Sequence, residues 1–106
     1  MKKEFFDEMC IEVTENIPYT MKLTYYLLTD SVREEFCDLN VYGVEIDKES
    51  RFKNGKIERE KKIIGDLFFR KGEAEEFLRR ISDNQVTPMG LKDVISDYIG
   101  ERLHLC

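Results

Sequence analysis

Residues 73–99 constrain the fold most, because two short amphipathic patterns stand on either side of Val86-Thr87-Pro88. Ala74, Phe77, Leu78 and Ile81 fall at i, i+3, i+4 and i+7, one face of a helix. On the opposite face Glu75 and Glu76 precede Arg79 and Arg80 by four residues, an order worth roughly 0.2–0.5 kcal/mol per ion pair. Glu73 suits the positive end of the helix dipole. Asn84 is expected as a left-handed C-cap. Thr87-Pro88 reads as an N-cap followed by proline at the first helical position. Gly90 stands where a capping box would need Glu or Gln. Leu91, Val94, Ile95 and Tyr98 repeat the apolar spacing, and Gly100 is the expected stop. Each helix has one apolar face to bury, so the preceding chain should supply a sheet for them to cover.

A helix-turn-helix is the first function such a pair suggests. The second helix carries Asp93, Asp97 and Glu101 in an i, i+4, i+8 row. Carboxylates repel phosphates, so this helix is a poor reader of DNA. The same row is a poor metal cage, because single carboxylates one turn apart lack further ligands.

The sheet is legible in two places. In residues 20–29, Met21, Leu23, Tyr25 and Leu27 alternate with Thr20, Lys22, Thr24 and Tyr26, the period of a half-buried strand. Asp30-Ser31 begins a turn, and the chain returns through Phe36 to residues 39–46. There Asn40, Tyr42, Val44 and Ile46 share a face, and Gly43 signals a bulge or a close backbone approach. Asn54-Gly55 is the preferred two-residue type I′ hairpin turn. That turn predicts partners whose numbers add to 109, with Phe52 facing Ile57, Ile46 facing Ile63 and Arg51 facing Glu58. The same register opposes Lys48 to Lys61 and Glu49 to Glu60, so the ribbon should be exposed and splayed at its middle. Gly65-Asp66 is expected to break the third strand before Leu67-Phe68-Phe69, which either continues it or forms a short fourth strand. Phe5, Met9 and Val13 fit a helix while residues 10–13 fit a strand, so residues 1–18 are left as an N-terminal arm ending at Asn16-Ile17-Pro18.

The expected fold is therefore α+β: a three- to four-stranded antiparallel meander sheet, then two C-terminal helices packed on one face. Its core should comprise Met21, Leu23, Tyr25, Leu27, Tyr42, Val44, Ile46, Ile63, Phe77, Leu78, Ile81, Leu91, Val94, Ile95 and Tyr98. One α+β domain spans residues 19–100, and residues 101–106 are a tail. A chain of 106 residues with 42% hydrophobic and 37% charged residues can build such a core without disulfides or metal.

The formal charge of −5 opposes general binding to nucleic acid or anionic membrane. Its distribution is uneven. Residues 1–50 hold 5 Lys/Arg against 12 Asp/Glu, and residues 51–106 hold 12 against 10. In the predicted register one face of the 46–63 hairpin gathers Lys48, Arg59 and Lys61 with Phe52 and Ile57, and no acid. These five are the candidate partner-binding residues, for an acidic protein surface or a nucleic-acid backbone. A solvated ribbon whose lysines guard a sheet edge explains the same residues more plainly.

Catalytic and cofactor chemistry finds no foothold. The single histidine, His104, lies in the tail, so a Cys37–His104 or Cys10–His104 dyad is a weak candidate. Glycines are scattered singly, with no phosphate loop. Cys10, Cys37 and Cys106 are odd in number and contain no CxxC, the usage of reduced cytoplasmic thiols rather than of a zinc site. No apolar h-region follows Met1-Lys2-Lys3, and no run approaches a membrane span. No enzyme, metal or cofactor is expected.

Val41-Tyr42-Gly43-Val44-Glu45-Ile46, Asn54-Gly55-Lys56-Ile57, Ile63-Ile64-Gly65-Asp66-Leu67 and the Val86-Thr87-Pro88 hinge before an acidic helix resemble a family of small proteins of unassigned function from clostridia and related Firmicutes. The resemblance covers roughly residues 19–99. It implies a bacterial cytosolic protein and assigns no functional residue. The function expected is a non-enzymatic interaction or regulatory module acting through the hairpin or by self-association. The alternative is a nucleic-acid-associated protein using the hairpin's basic face.

Overall fold

The computed structural model describes residues 1–14, 18–33 and 38–104, with side chains through Tyr98. Phe36, Cys37, Cys106 and the side chain of His104 lie outside the described residues, as do Asn16 and Ile17. Among the described residues four strands precede two helices: β1 (Lys2–Val13), β2 (Tyr19–Arg33), β3 (Asp38–Phe52), β4 (Ile57–Phe68), α1 (Lys71–Asp83) and α2 (Leu91–His104). The strands form an antiparallel sheet in the order β1-β2-β3-β4, and the helices pack on one face of it. The fold is the expected α+β meander, 56 × 31 × 16 Å, thin because the sheet has a single covering layer.

Odd residues of β2 and even residues of β3 point toward the helices. Leu23, Tyr25, Val44 and Ile46 are fully buried there against Phe77, Leu78 and Ile81 of α1 and Leu91 of α2. Phe68, Phe77 and Tyr98 close the end of this core as an aromatic trio with centroids 5.1–5.9 Å apart. Tyr25 is the central polar tie. Its hydroxyl donates to the Val86 carbonyl at 2.8 Å, pinning the turn between the helices to the middle of the sheet. Burial, helped by the negative charge of Asp7, raises its phenol well above the ordinary tyrosine range.

The helix ends differ in detail from expectation. The left-handed residue after α1 is Gln85 (φ 53), one place beyond Asn84. Val86 N–H donates to Ile81 O and Gln85 N–H to Ser82 O, the two bonds of a Schellman closure, and Asn84 Nδ2 adds a bond to Arg80 O at 2.7 Å. Thr87-Pro88 opens a separate turn rather than α2 itself. Gly90 N–H bonds Thr87 O and Leu91 N–H bonds Pro88 O before α2 begins at Leu91. α2 then runs through Gly100 to His104, so residues 101–104 are helix and not tail. A single glycine costs a helix only about 1 kcal/mol and does not end it.

The N-terminal arm is strand β1. A register shift between Phe5 and Asp7 inserts Phe6 as a bulge, so Phe5 points away from the helices while Phe6, Met9 and Ile11 pack against the core. That shift breaks the alternation and leaves a spacing that imitates a helix. In β4 the mirror-image irregularity lies at Gly65-Asp66. Between the pairs Val44↔Ile64 and Tyr42↔Phe68, Gly43 faces three residues, and Asp66 takes φ 54. The strand bends but continues, which brings Phe68 into the core. Gly43 is required at this point. A Cβ there would run into the Ile64 carbonyl oxygen and lie 2.7 Å from Gly65 Cα.

The hairpin register is one residue off the predicted one. Observed partners add to 108: Arg51↔Ile57, Glu49↔Arg59, Lys48↔Glu60, Asp47↔Lys61, Ile46↔Lys62 and Glu45↔Ile63. Asn54-Gly55 does make the turn, but within a three-residue loop. Phe52 N–H bonds Lys56 O at 2.9 Å, Gly55 N–H bonds Phe52 O at 3.0 Å, and Gly55 takes the left-handed position (φ 88). Asn54 Oδ1 accepts from Lys56 N–H at 2.9 Å. The like-charge oppositions at Lys48 and Glu49 become opposite-charge ones, which explains why this register wins. Ile63, expected in the core, is 47% exposed on the side away from the helices, and Ile64 takes the inward place.

Candidate functional site

A one-residue slip sends every side chain to the other face, so the five candidate residues do not form one surface. Ile57, Arg59 and Lys61 lie on the face the helices leave uncovered. Lys48 and Phe52 lie on the helix side, where Phe52 packs beside Tyr19 with ring centroids 5.1 Å apart. Nor is the uncovered face free of acid. Glu45, Asp47 and Glu49 alternate along β3 among the bases of β4, and Arg59 reaches Glu49 Oε1 at 3.2 Å.

The pairings of all four strands arrange this face in cross-rows. Phe5, Tyr26, Glu45 and Ile63 form one; Glu8, Thr24, Asp47 and Lys61 the next; then Cys10, Lys22, Glu49 and Arg59; then Glu12, Thr20, Arg51 and Ile57. A shallow open cleft of about 380 Å³ lies over the middle rows, with Lys22, Thr24, Tyr26, Asp47, Arg59 and Lys61 among its walls. Lys22 also reaches Glu8 at 3.2 Å, so the face is laced by ion pairs between neighbouring strands.

Its most unusual group is the carboxyl pair Glu45–Asp47. Glu45 is only 3% exposed, and its Oε2 meets the Lys3 ammonium at 2.6 Å as an ion pair rather than a well-directed hydrogen bond. The same ammonium stands 4.1 Å from the centroid of the Tyr26 ring. Lys3 of β1 therefore spans β2 to reach β3. Its pKa is raised by the Glu45 contact, against a smaller opposing effect of burial. Burial pushes the Glu45 pKa up, but the Lys3 ammonium and the neighbouring Asp47 carboxyl outweigh it and hold the group below its ordinary value. Asp47 moves the other way, raised by burial and then by Glu45 beside it. Asp47 Oδ1 is buried with no hydrogen-bond partner among the described residues. The two carboxyls thus shift in opposite senses, the charge on Glu45 being favoured by Lys3 and that on Asp47 disfavoured by burial and by Glu45.

None of Lys3, Tyr26, Glu45, Asp47 or Glu49 was singled out from sequence. The signal was the acid alternation Glu45-x-Asp47-x-Glu49 set against the base alternation Arg59-x-Lys61, which stand opposite each other when partners add to 108 but not when they add to 109. Among the described residues no group of three His, Cys, Asp or Glu side chains is placed to hold a metal ion. No helix among them is long and apolar enough to cross a membrane. The free Cys10 is exposed on the uncovered face, while the Cys37–His104 pairing lies outside the described residues.

The family profile that matches this chain covers residues 3–101, from the Lys3 that spans the sheet to the last turns of α2. The chain belongs to DUF6514, a family of unknown function. No curated protein and no solved structure matches it. The DUF6514 match takes in β1, so the N-terminal strand is part of the family's unit and not an appendage to residues 19–99.

Proposed function

We propose that this DUF6514 chain is a non-enzymatic protein-interaction or regulatory module whose binding surface is the uncovered face of the sheet. The observation that carries this reading is the one-sided fold. Both helices lie on one face, and the other leaves Phe5, Ile57 and Ile63 at 62%, 45% and 47% exposure among Arg59, Lys61 and Glu49. Exposed apolar side chains at the edges of a field of paired charges are surface that a partner can cover. The candidate residues Ile57, Arg59 and Lys61 belong to it, while Lys48 and Phe52 become controls on the opposite face. We place the protein in the cytosol of a clostridial or related bacterium, on the motif resemblance and the reduced-thiol pattern alone.

The nucleic-acid alternative drew on a ribbon face with bases and no acid. With Asp47 and Glu49 opposite Lys61 and Arg59, that support is gone. The test is a pull-down on the tagged full chain from native lysate, with and without nuclease, comparing Arg59→Glu/Lys61→Glu with Lys48→Glu. A protein lost with the first variant, kept with the second and indifferent to nuclease is the expected result. Equal recovery on all three baits would sink the uncovered face as the binding surface, and nucleic acid recovered only without nuclease would favour the alternative.

A further inference from the structure

The order of charges across the uncovered face is antisymmetric, and this bears on what covers it. In the middle rows β1 contributes Glu8 and Cys10, with no base, and β4 contributes Lys61 and Arg59, with no acid. The row above carries an exposed apolar side chain at each end, Phe5 on β1 and Ile63 on β4. We propose that the uncovered face is a homodimer interface, in which a second copy packs sheet to sheet about a two-fold axis parallel to the strands and midway between β2 and β3. This rests on the interaction reading above and names the partner.

Such an axis lays β1 of each copy over β4 of the other and β2 over β3. In the first row Phe5 meets Ile63 of the second copy, and Tyr26 lies over Glu45 with the Lys3 ammonium between them. In the second Glu8 meets Lys61 and Thr24 meets Asp47. In the third Lys22 meets Glu49 and Cys10 meets Arg59. Each contact occurs twice, and no like charges oppose each other in the second and third rows. The in-plane axis perpendicular to the strands does worse. Centred between the second and third rows, it lays Asp47 on Glu49 and Lys61 on Arg59. Aligned sheets pack about 10 Å apart with strands roughly 30° from parallel, so the middle rows superpose best. These hold the charge pairs.

Size sets the strength. At about 4.8 Å between strands and 3.3 Å per residue, the four rows cover roughly 500–600 Å² per copy. That is below the usual footprint of about 800 Å² per partner, so the dimer should be weak, with a dissociation constant in the micromolar range or above.

The experiment is sedimentation equilibrium of the full chain from about 1 μM to 1 mM. Glu8→Lys and Lys61→Glu alone each place two like-charge contacts in the dimer and should weaken it by roughly tenfold or more. An equimolar mixture of the two restores every charge pair in a heterodimer and should dimerise within about threefold of the parent. Recovery in the mixture also shows that both variants are folded. A chain that stays monomeric throughout overturns the proposal, and so does a dimer indifferent to both reversals. Either result leaves the interaction reading to be decided by the lysate experiment.

Discussion

The two faces of one sheet are built by different rules. On the helix side Leu23, Tyr25, Val44 and Ile46 are fully buried by α1 and α2, and one hydroxyl, that of Tyr25, carries the polar tie to the helix turn. On the other side burial comes from charges folding over their own strands. Glu45 is as hidden as a core leucine, but under Lys3 rather than under a helix. The contrast teaches that sequence alternation reports an apolar face directly, whereas a charged face only becomes ordered once the register is set. The first face holds the fold together. The second is left uncovered by the helices.

Phe77→Ala should widen this contrast most. Phe77 fills the core between Phe68 and Tyr98, and its loss should cost about 3–5 kcal/mol in denaturant unfolding. Ile63→Ala, the apolar truncation on the other face, should cost under about 1 kcal/mol in the monomer. If the two losses were equal, the faces would not differ as described. Gly43→Ala comes next, at about 2–3 kcal/mol, because the new Cβ meets backbone that cannot swing aside. A neutral result by thermal melting would show that β4 can give way at Gly65 to admit the added Cβ. Tyr25→Phe should cost about 1–2 kcal/mol by leaving the Val86 carbonyl unpaired. Hydrogen exchange should then quicken at the hinge before it does in the strands.

The smallest effect has the opposite sign. Asp47 is raised above its ordinary pKa in the fold, so the stability its proton brings is complete below the ordinary aspartate pKa and lost as pH rises through the folded value. At pH 7 its charge beside Glu45 is a cost. Asp47→Asn should therefore stabilise the chain by about 0.5–1 kcal/mol at pH 7, and the gain should shrink as pH falls through the raised pKa. Glu45, held below its ordinary value, behaves inversely: its contribution is present at neutral pH and fades as pH falls through its lowered pKa. Glu45→Gln should destabilise at pH 7, since Lys3 loses its partner. A melting series on the two variants between pH 3 and 8 separates them, and a shift of the same sign in both would refute the opposite shifts of the two carboxyls.

Much of the fold was legible in the residues themselves. The alternation through Met21, Leu23, Tyr25 and Leu27, the two helical stripes and the hinge at Val86-Thr87-Pro88 each repeat a period that belongs to one kind of element. Gly43 announced a close approach, and one occurs. β1 was hidden because the Phe6 bulge breaks its alternation. The candidate site fared worse, for a single reason. Asn54-Gly55 suits either a two-residue or a three-residue turn, and the choice moves Ile57, Arg59, Lys61 and Ile63 of β4 away from the face that Ile46, Lys48 and Phe52 share.

Local patterning, then, determined by itself the central strands β2 and β3 and the two helices with one apolar face each, because apolar periodicity is written along those segments. Tertiary structure alone decided the hairpin register, the burial of Glu45 under Lys3 and the order of charges across the uncovered face. Those depend on which residues stand opposite each other on neighbouring strands. No segment carries that information alone, since it is settled by the summed cost of like and unlike charges across the whole sheet.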